Sequence, residues 1–257
     1  MDSWARGIYS FATISNDTNN NENRRMPKPA RIAIVGATGL IGQEVLRLAV
    51  GREDLRLTGI ARGEVPLPEG ARMEVFVAEP AKWGEVLQAV KPDALICALG
   101  TTIKKVGGDK DAFRAVDLDL VVDTAKAALE AGVQRMVSVS SVGADPHTNN
   151  FYLRTKGEAE AQLTKVGMNR LDILRPGLLV GQRSGDSRAG EGLAQIASPF
   201  GNLLLHGKLR KYRGIKAHTV AEAALALALR KTRGRYIHDN DAIARAATML
   251  SQPDTGE

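Results

Sequence analysis

The sequence predicts an α/β fold: a doubly wound, mainly parallel sheet with helices on both faces. Three observations predict it. From residue 29 onward, short aliphatic runs alternate with stretches of helical spacing, the pattern of strands joined by helical crossovers. The core-forming residues are aliphatic: hydrophobic residues make up 44% of the 257 and aromatic ones only 4%, as suits a parallel sheet covered on both sides. Finally, a glycine-rich stretch joins the first aliphatic run to the first helical one.

Taken in order, Arg31–Val35 is a short apolar run and reads as a buried strand. Leu40–Val50 follows with helical spacing. Leu55–Ile60 and Met73–Val77 read as the second and third strands. Trp83–Val90 is a helix that stops before Pro92, and Ala94–Ala98 is another buried strand. Asp111–Ala131 reads as one long helix ending at Gly132, a favoured C-cap residue. Met136–Val139 is a strand, Tyr152–Val166 a helix closed by Gly167, and Leu171–Leu174 a strand stopped by Pro176 and Gly177. Right-handed crossovers join such parallel strands. After about Val180 the rhythm breaks, and Gln182–Gly192 is polar and glycine-rich. Thr219–Arg230 is an apolar helix, and Arg235–His238 a short last strand before a final helix. Residues 1–28 are Asn-rich without apolar period and read as a disordered tail. Residues 29–250 read as a single domain, in which 181–218 form a small C-terminal segment covering the substrate.

The net charge of +6 is modest for this length and comes with no nucleic-acid reading module, so no nucleic acid is expected. Lys208, Arg210, Lys211, Arg213 and Lys216 form a basic run that reads first as a solvated loop or an oligomer edge. No apolar run approaches the roughly 20 residues that span a bilayer. Cys97 is the one cysteine, which points to a reducing compartment, and the cytoplasm is the expected location. A transit peptide is disfavoured by Asp2, Asp17 and Glu22. The four histidines show no metal-ligand spacing, and no metal is expected.

Gly36-Ala37-Thr38-Gly39-Leu40-Ile41-Gly42 follows the first strand and opens the first helix. Glycine permits the tight turn and lets backbone approach a pyrophosphate, while the helix N-terminus supplies unpaired N–H groups and a favourable dipole. In this context the motif reads as the dinucleotide-binding turn of a Rossmann fold, with Gly36, Thr38, Gly39, Leu40, Ile41 and Gly42 around the phosphates. A site for NAD places an acid at the end of the second strand, to accept the ribose hydroxyls. Here Ile60-Ala61-Arg62 stands instead, and a guanidinium holds a 2′-phosphate through charge-assisted bonds. NADP(H) is therefore expected ahead of NAD.

Tyr152-Leu-Arg-Thr-Lys156 sets a phenol and an ammonium one helical turn apart on one face. A free phenol ionises near pH ~10, and a neighbouring ammonium favours its phenolate. Such a pair relays a proton to or from a carbinol oxygen. Ser140-Ser141 closes the strand Met136–Val139 and faces the crevice at the carboxyl end of the sheet. A hydroxyl there polarises a carbonyl; Ser141 is the first candidate and Ser140 the second.

Together, GATGLIG, the strand-end SVSS and YLRTK resemble an atypical or extended short-chain dehydrogenase/reductase. CALGTT (Cys97–Thr102), SSVGAD (Ser140–Asp145), NNFYLRTKGEAEAQL (Asn149–Leu163) and LRPGLLVGQR (Leu174–Arg183) are similar to the Tat-interacting-protein-like NADPH-binding oxidoreductases. That resemblance covers about residues 30–240. It implies Ser141, Tyr152 and Lys156 as the catalytic trio. It also implies Leu99, Gly100 and Thr101 beside the cofactor ribose, with Tyr152 and Lys156 near them, and Pro176, Gly177 and Leu178 near the nicotinamide. The expected activity is hydride transfer to or from a small carbonyl or alcohol substrate, with a second copy of the chain as a candidate partner in a homo-oligomer. An NADPH-sensing regulator and a nucleotide-sugar epimerase or dehydratase are the alternatives.

Overall fold

The computed structural model describes residues 28–180 and 213–250. The expected tail up to residue 27 and most of the expected covering segment, residues 181–212, lie outside the described residues. So do Lys208, Arg210 and Lys211 of the basic run.

The chain enters through strand β1 (Ala30–Val35) and helix α1 (Leu40–Ala49), then β2 (Leu55–Ala61) and the short β3 (Glu74–Val77). Helix α2 (Trp83–Val90) leads to β4 (Ala94–Cys97). The segment read as one helix over Asp111–Ala131 is divided. It forms α3 (Lys110–Arg114), a wide π-type turn (Ala115–Asp119) and α4 (Leu120–Glu130). Such a turn inserts an extra residue into the helical repeat, and here it buries Asp117 and Leu118. Next come β5 (Arg135–Val139), α5 (Phe151–Val166) and β6 (Arg170–Leu174). Two-residue strands β7 (Leu179–Val180) and β8 (Ile215–Lys216) pair in parallel on either side of residues 181–212. The chain then forms α6 (Ala217–Leu229), β9 (Gly234–His238) and α7 (Asn240–Thr248).

Seven strands make one parallel sheet in the order β3-β2-β1-β4-β5-β6-β9. The order reverses between β1 and β4, so a crevice opens beyond their carboxyl ends, where doubly wound sheets bind ligands. Successive strand residues face opposite sides. Ile32 and Ile34 therefore pack with α1, α6 and α7, while Ala33, Val35, Leu95 and Cys97 pack with α2, α4 and α5. This is the doubly wound architecture expected from the sequence.

Arg135, at the amino end of β5, ties the two layers together. Its Nη1 donates to the carbonyls of Ala228, Leu229 and Arg230 at 3.2, 3.4 and 3.2 Å, and its Nε donates to the Asp93 carbonyl at 3.0 Å. The cation thus meets the negative end of the α6 dipole and the carbonyls left over there.

Candidate active site

Gly36 leaves β1 at φ +85°, a conformation that strains any residue with a Cβ. A Cβ there would lie 2.4 Å from the Ala98 carbonyl oxygen, because the end of β4 passes directly against the turn. At Gly42 a Cβ would meet the Gly36 carbonyl oxygen at 2.2 Å, so the first turn of α1 presses onto the glycine turn. Gly39 is the N-cap and offers no side-chain cap to the helix, leaving the amides of Leu40, Ile41 and Gly42 for another acceptor. Thr38 is exposed at the tip of the turn. The structure therefore brings all six turn residues together at the crevice. Arg62 is exposed immediately after β2 and meets no acid among the described residues.

On the other side of β1, the end of β4 runs into Leu99-Gly100-Thr101. The Thr101 amide donates to Asp117 Oδ2 at 2.8 Å, and Asp117 Oδ1 lies 2.7 Å from Lys156 Nζ. Both charged groups are buried. A Cβ on Gly100 would stand 3.8 Å from Lys156 Nζ, so Gly100 sits against α5. Burial works against the Lys156 ammonium, but Asp117, followed by Tyr152 and Cys97, outweighs it and raises the lysine above its ordinary value. The neighbouring Cys97 thiol is pushed up to about 11, chiefly by burial, and stays protonated at neutral pH. Asp117 Oδ1 accepts no well-aligned hydrogen bond among the described residues; the ion pair is its one partner there.

Helix α5 starts at the side chain of Asn150, which accepts from the Leu153 amide at 3.0 Å. One residue into the helix, Tyr152 is 41% exposed, with its ring edge-on to buried Phe113 at 5.9 Å between centroids. Tyr152 is thus partly open to solvent, while Lys156 is buried a turn further along. The loop from β5 is pressed onto this helix at Gly157, where a Cβ would fall 2.3 Å from the backbone of Asp145 and Pro146.

The two serines at the end of β5 differ sharply. Ser140 is buried, and its hydroxyl donates to Glu160 Oε1, which is held in turn by the Arg175 guanidinium. Ser141 is half-buried, and among the described residues its hydroxyl makes one long bond of 3.3 Å, to the Val142 carbonyl. Pro176, Gly177 and Leu178 lie beside it: the Val142 amide donates to the Pro176 carbonyl at 3.0 Å. Asp117, Gly157, Glu160 and Arg175 were not singled out from the sequence. Gly157, Glu160 and Arg175 fall inside the motifs noted above. Asp117 gave no signal, because a π-type turn breaks the helical period that would have placed it.

A sheet with this switch point, this glycine turn and this helix has the form of an NAD(P)-binding Rossmann-like protein. The chain belongs to the family described as NAD(P)H-binding, whose model matches residues 36–228. It is similar to the mitochondrial protein fmp52 of Emericella nidulans, at 32% identity over 213 residues, 80% of this chain and 90% of that one. It is also similar to FMP52 of Saccharomyces cerevisiae, again named mitochondrial, at 29% identity over 84% of this chain and 96% of the other. Among solved structures, MoeE5 in complex with UDP-glucose and NAD superposes with a TM-score of 0.62 at 14% identity, covering 86% of this chain and 82% of that one. A UDP-glucose 4-epimerase from Thermotoga maritima, with UDP-glucose, gives 0.62 at 12% identity, covering 86% and 81%. These likenesses speak to the fold.

The mitochondrial names overturn the expected cytoplasmic location. The physical reason is plain. A lone thiol separates oxidising from reducing compartments, and does not separate one reducing compartment from another. Among the described residues, no helix is long and apolar enough to cross a membrane.

Proposed function

We propose that this protein is a mitochondrial NADPH-dependent oxidoreductase of the short-chain dehydrogenase/reductase type, acting on a small carbonyl or alcohol substrate, with residues 29–250 as one catalytic unit. The observation that carries the reading is the Lys156–Asp117 pair. It holds a fixed ammonium one turn from an exposed phenol, at the switch point of the sheet. The residues fit a nicotinamide dinucleotide: side chains are excluded at Gly36 and Gly42, and the helix amides beyond them lack a cap. Arg62, exposed where an acid would select NAD, supports the 2′-phosphate form. When bound, that cofactor supplies or accepts the hydride.

The protein's own share is alignment and proton transfer. Tyr152 gives a proton to the oxygen of a carbonyl being reduced, or takes it back from an alcohol. Lys156 lies beneath it as a permanent positive charge, favouring the phenolate that remains. Asp117 and the Thr101 amide hold that ammonium in place and seat Gly100 against it. Ser141 donates to the substrate oxygen, since the hydroxyl of Ser140 is already committed to Glu160.

Steady-state NADPH oxidation against a panel of aldehydes and ketones tests the reading. Tyr152→Phe is expected to lower kcat at least about a hundredfold, the typical worth of general acid–base catalysis, while NADPH still binds. Unchanged turnover in that variant would exclude the phenol as proton donor. The UDP-glucose and NAD bound by structural neighbours favour one second reading, an epimerase or dehydratase. That reading requires conversion of a UDP-sugar without net NADPH consumption.

A further inference from the structure

Asn240, the first residue of α7, is buried and lies far in sequence from every motif discussed so far. Its side chain does two things at once. Oδ1 accepts from the Gly177 amide at 2.7 Å, and Nδ2 donates to the Arg213 carbonyl at 2.7 Å. The two partners fix the orientation of the amide, since only the oxygen can face an N–H and only the nitrogen a C=O. Asn240 therefore joins the limb that leaves β6 to the limb that returns before α6.

The backbone around Gly177 is fastened at every step. The Arg175 amide donates to the His238 carbonyl at 2.8 Å, and the Pro176 carbonyl accepts from Val142. The Leu178 carbonyl accepts from the Ile215 amide at 2.8 Å. All of these are backbone-to-backbone bonds. Among the described residues, Asn240 adds a side-chain contact to these and draws Gly177 toward α7.

We infer that Asn240 is a positioning residue for the Pro176–Leu178 turn, setting where that turn meets the nicotinamide end of the cofactor. The inference rests on the NADPH reading above. No other residue type does the work in the same space: aspartate accepts from Gly177 but cannot donate to Arg213, and alanine does neither.

The test uses the full chain with Asn240→Asp and Asn240→Ala, reading NADPH Kd by cofactor fluorescence and thermal midpoint by scanning calorimetry. Asn240→Ala frees the Gly177 amide and is expected to weaken NADPH binding about tenfold. Asn240→Asp keeps that bond and is expected to stay within about twofold of the parent Kd, although its midpoint falls because a carboxylate faces the Arg213 carbonyl. A fold-only role moves Kd in step with the midpoint in both variants. That pattern, or failure of both variants to fold, overturns the inference, as does an unchanged Kd in Asn240→Ala. If the parent protein binds neither NADPH nor NADH, the cofactor reading falls and takes this inference with it.

Discussion

Asp117 and Lys156 face each other at 2.7 Å in a site almost closed to water. Breaking one side of a buried pair leaves the other charge uncompensated. In the intact protein Lys156 is raised above its ordinary value, so it stabilises the fold at every pH below about 10.4, the unfolded value. That contribution is lost only as pH climbs through the still higher folded value. Asp117→Asn reverses the sign, because burial is then the largest remaining influence and pulls the lysine down. Urea unfolding should show a loss of about 3–5 kcal/mol at pH 7, shrinking by pH 9.5 as the lysine sheds its proton. An equal loss at both pH values would mean the carboxylate acts by shape alone. Arg62 makes a second prediction at this scale. Arg62→Ala should weaken NADPH binding about tenfold or more, the worth of a charge-assisted bond, and leave NADH unchanged by titration. A matched loss for both cofactors would remove the 2′-phosphate from its role.

At the scale of elements, Gly157 is the joint between the β5 loop and α5. A methyl group there would collide with the Asp145 and Pro146 backbone, which has no flexible side chain to move aside. Gly157→Ala should cost about 1–3 kcal/mol and displace Ser141 from Tyr152, lowering kcat while NADPH Kd holds. Paired denaturation and single-turnover measurements check this; normal kcat in a destabilised variant would sever the loop's position from catalysis. Elements were also where the sequence read best. The strands of the central sheet stood out because both faces are buried, giving unbroken aliphatic runs such as Ile32–Val35 and Ala94–Cys97. The glycine turn was legible because steric exclusion demands glycine there. The π-type turn was not, since one extra residue shifts the period without any change in composition. Strands β7 and β8 are two residues each, too short to show a period. Ser141 was placed ahead of Ser140 from the sequence without sight of the distant Glu160–Arg175 pair, which engages the Ser140 hydroxyl.

For the molecule as a whole, a dinucleotide bound as proposed would touch α1, the end of β4 and α5, so occupancy should stabilise them together. NADPH at a hundred times its Kd adds about 2.7 kcal/mol, which for a chain of this size raises Tm by roughly 5–10 °C. A scanning fluorimetry series in NADPH reads it directly, and a midpoint that ignores the cofactor would argue that the crevice is filled by something else. The site drew together residues that the sequence scatters. Its glycine turn, strand-end serine and tyrosine helix were visible in order, whereas the partners that brace them come from contacts between remote segments.

The last pairings in the sheet are also among the most distant along the chain. His238 reaches back 66 positions to Asp172, and Asn240 reaches back 63 to Gly177. Closing loops of that length is entropically slow compared with forming the neighbouring βα units. A chain emerging from the ribosome can assemble its first βα units early, yet the far rim of the sheet stays unfinished until α7 has been synthesised. During that interval β6 presents an unpaired margin, ready to capture a stray extended segment. Premature termination just upstream of residue 234 would make this exposure permanent, yielding a protein prone to self-association.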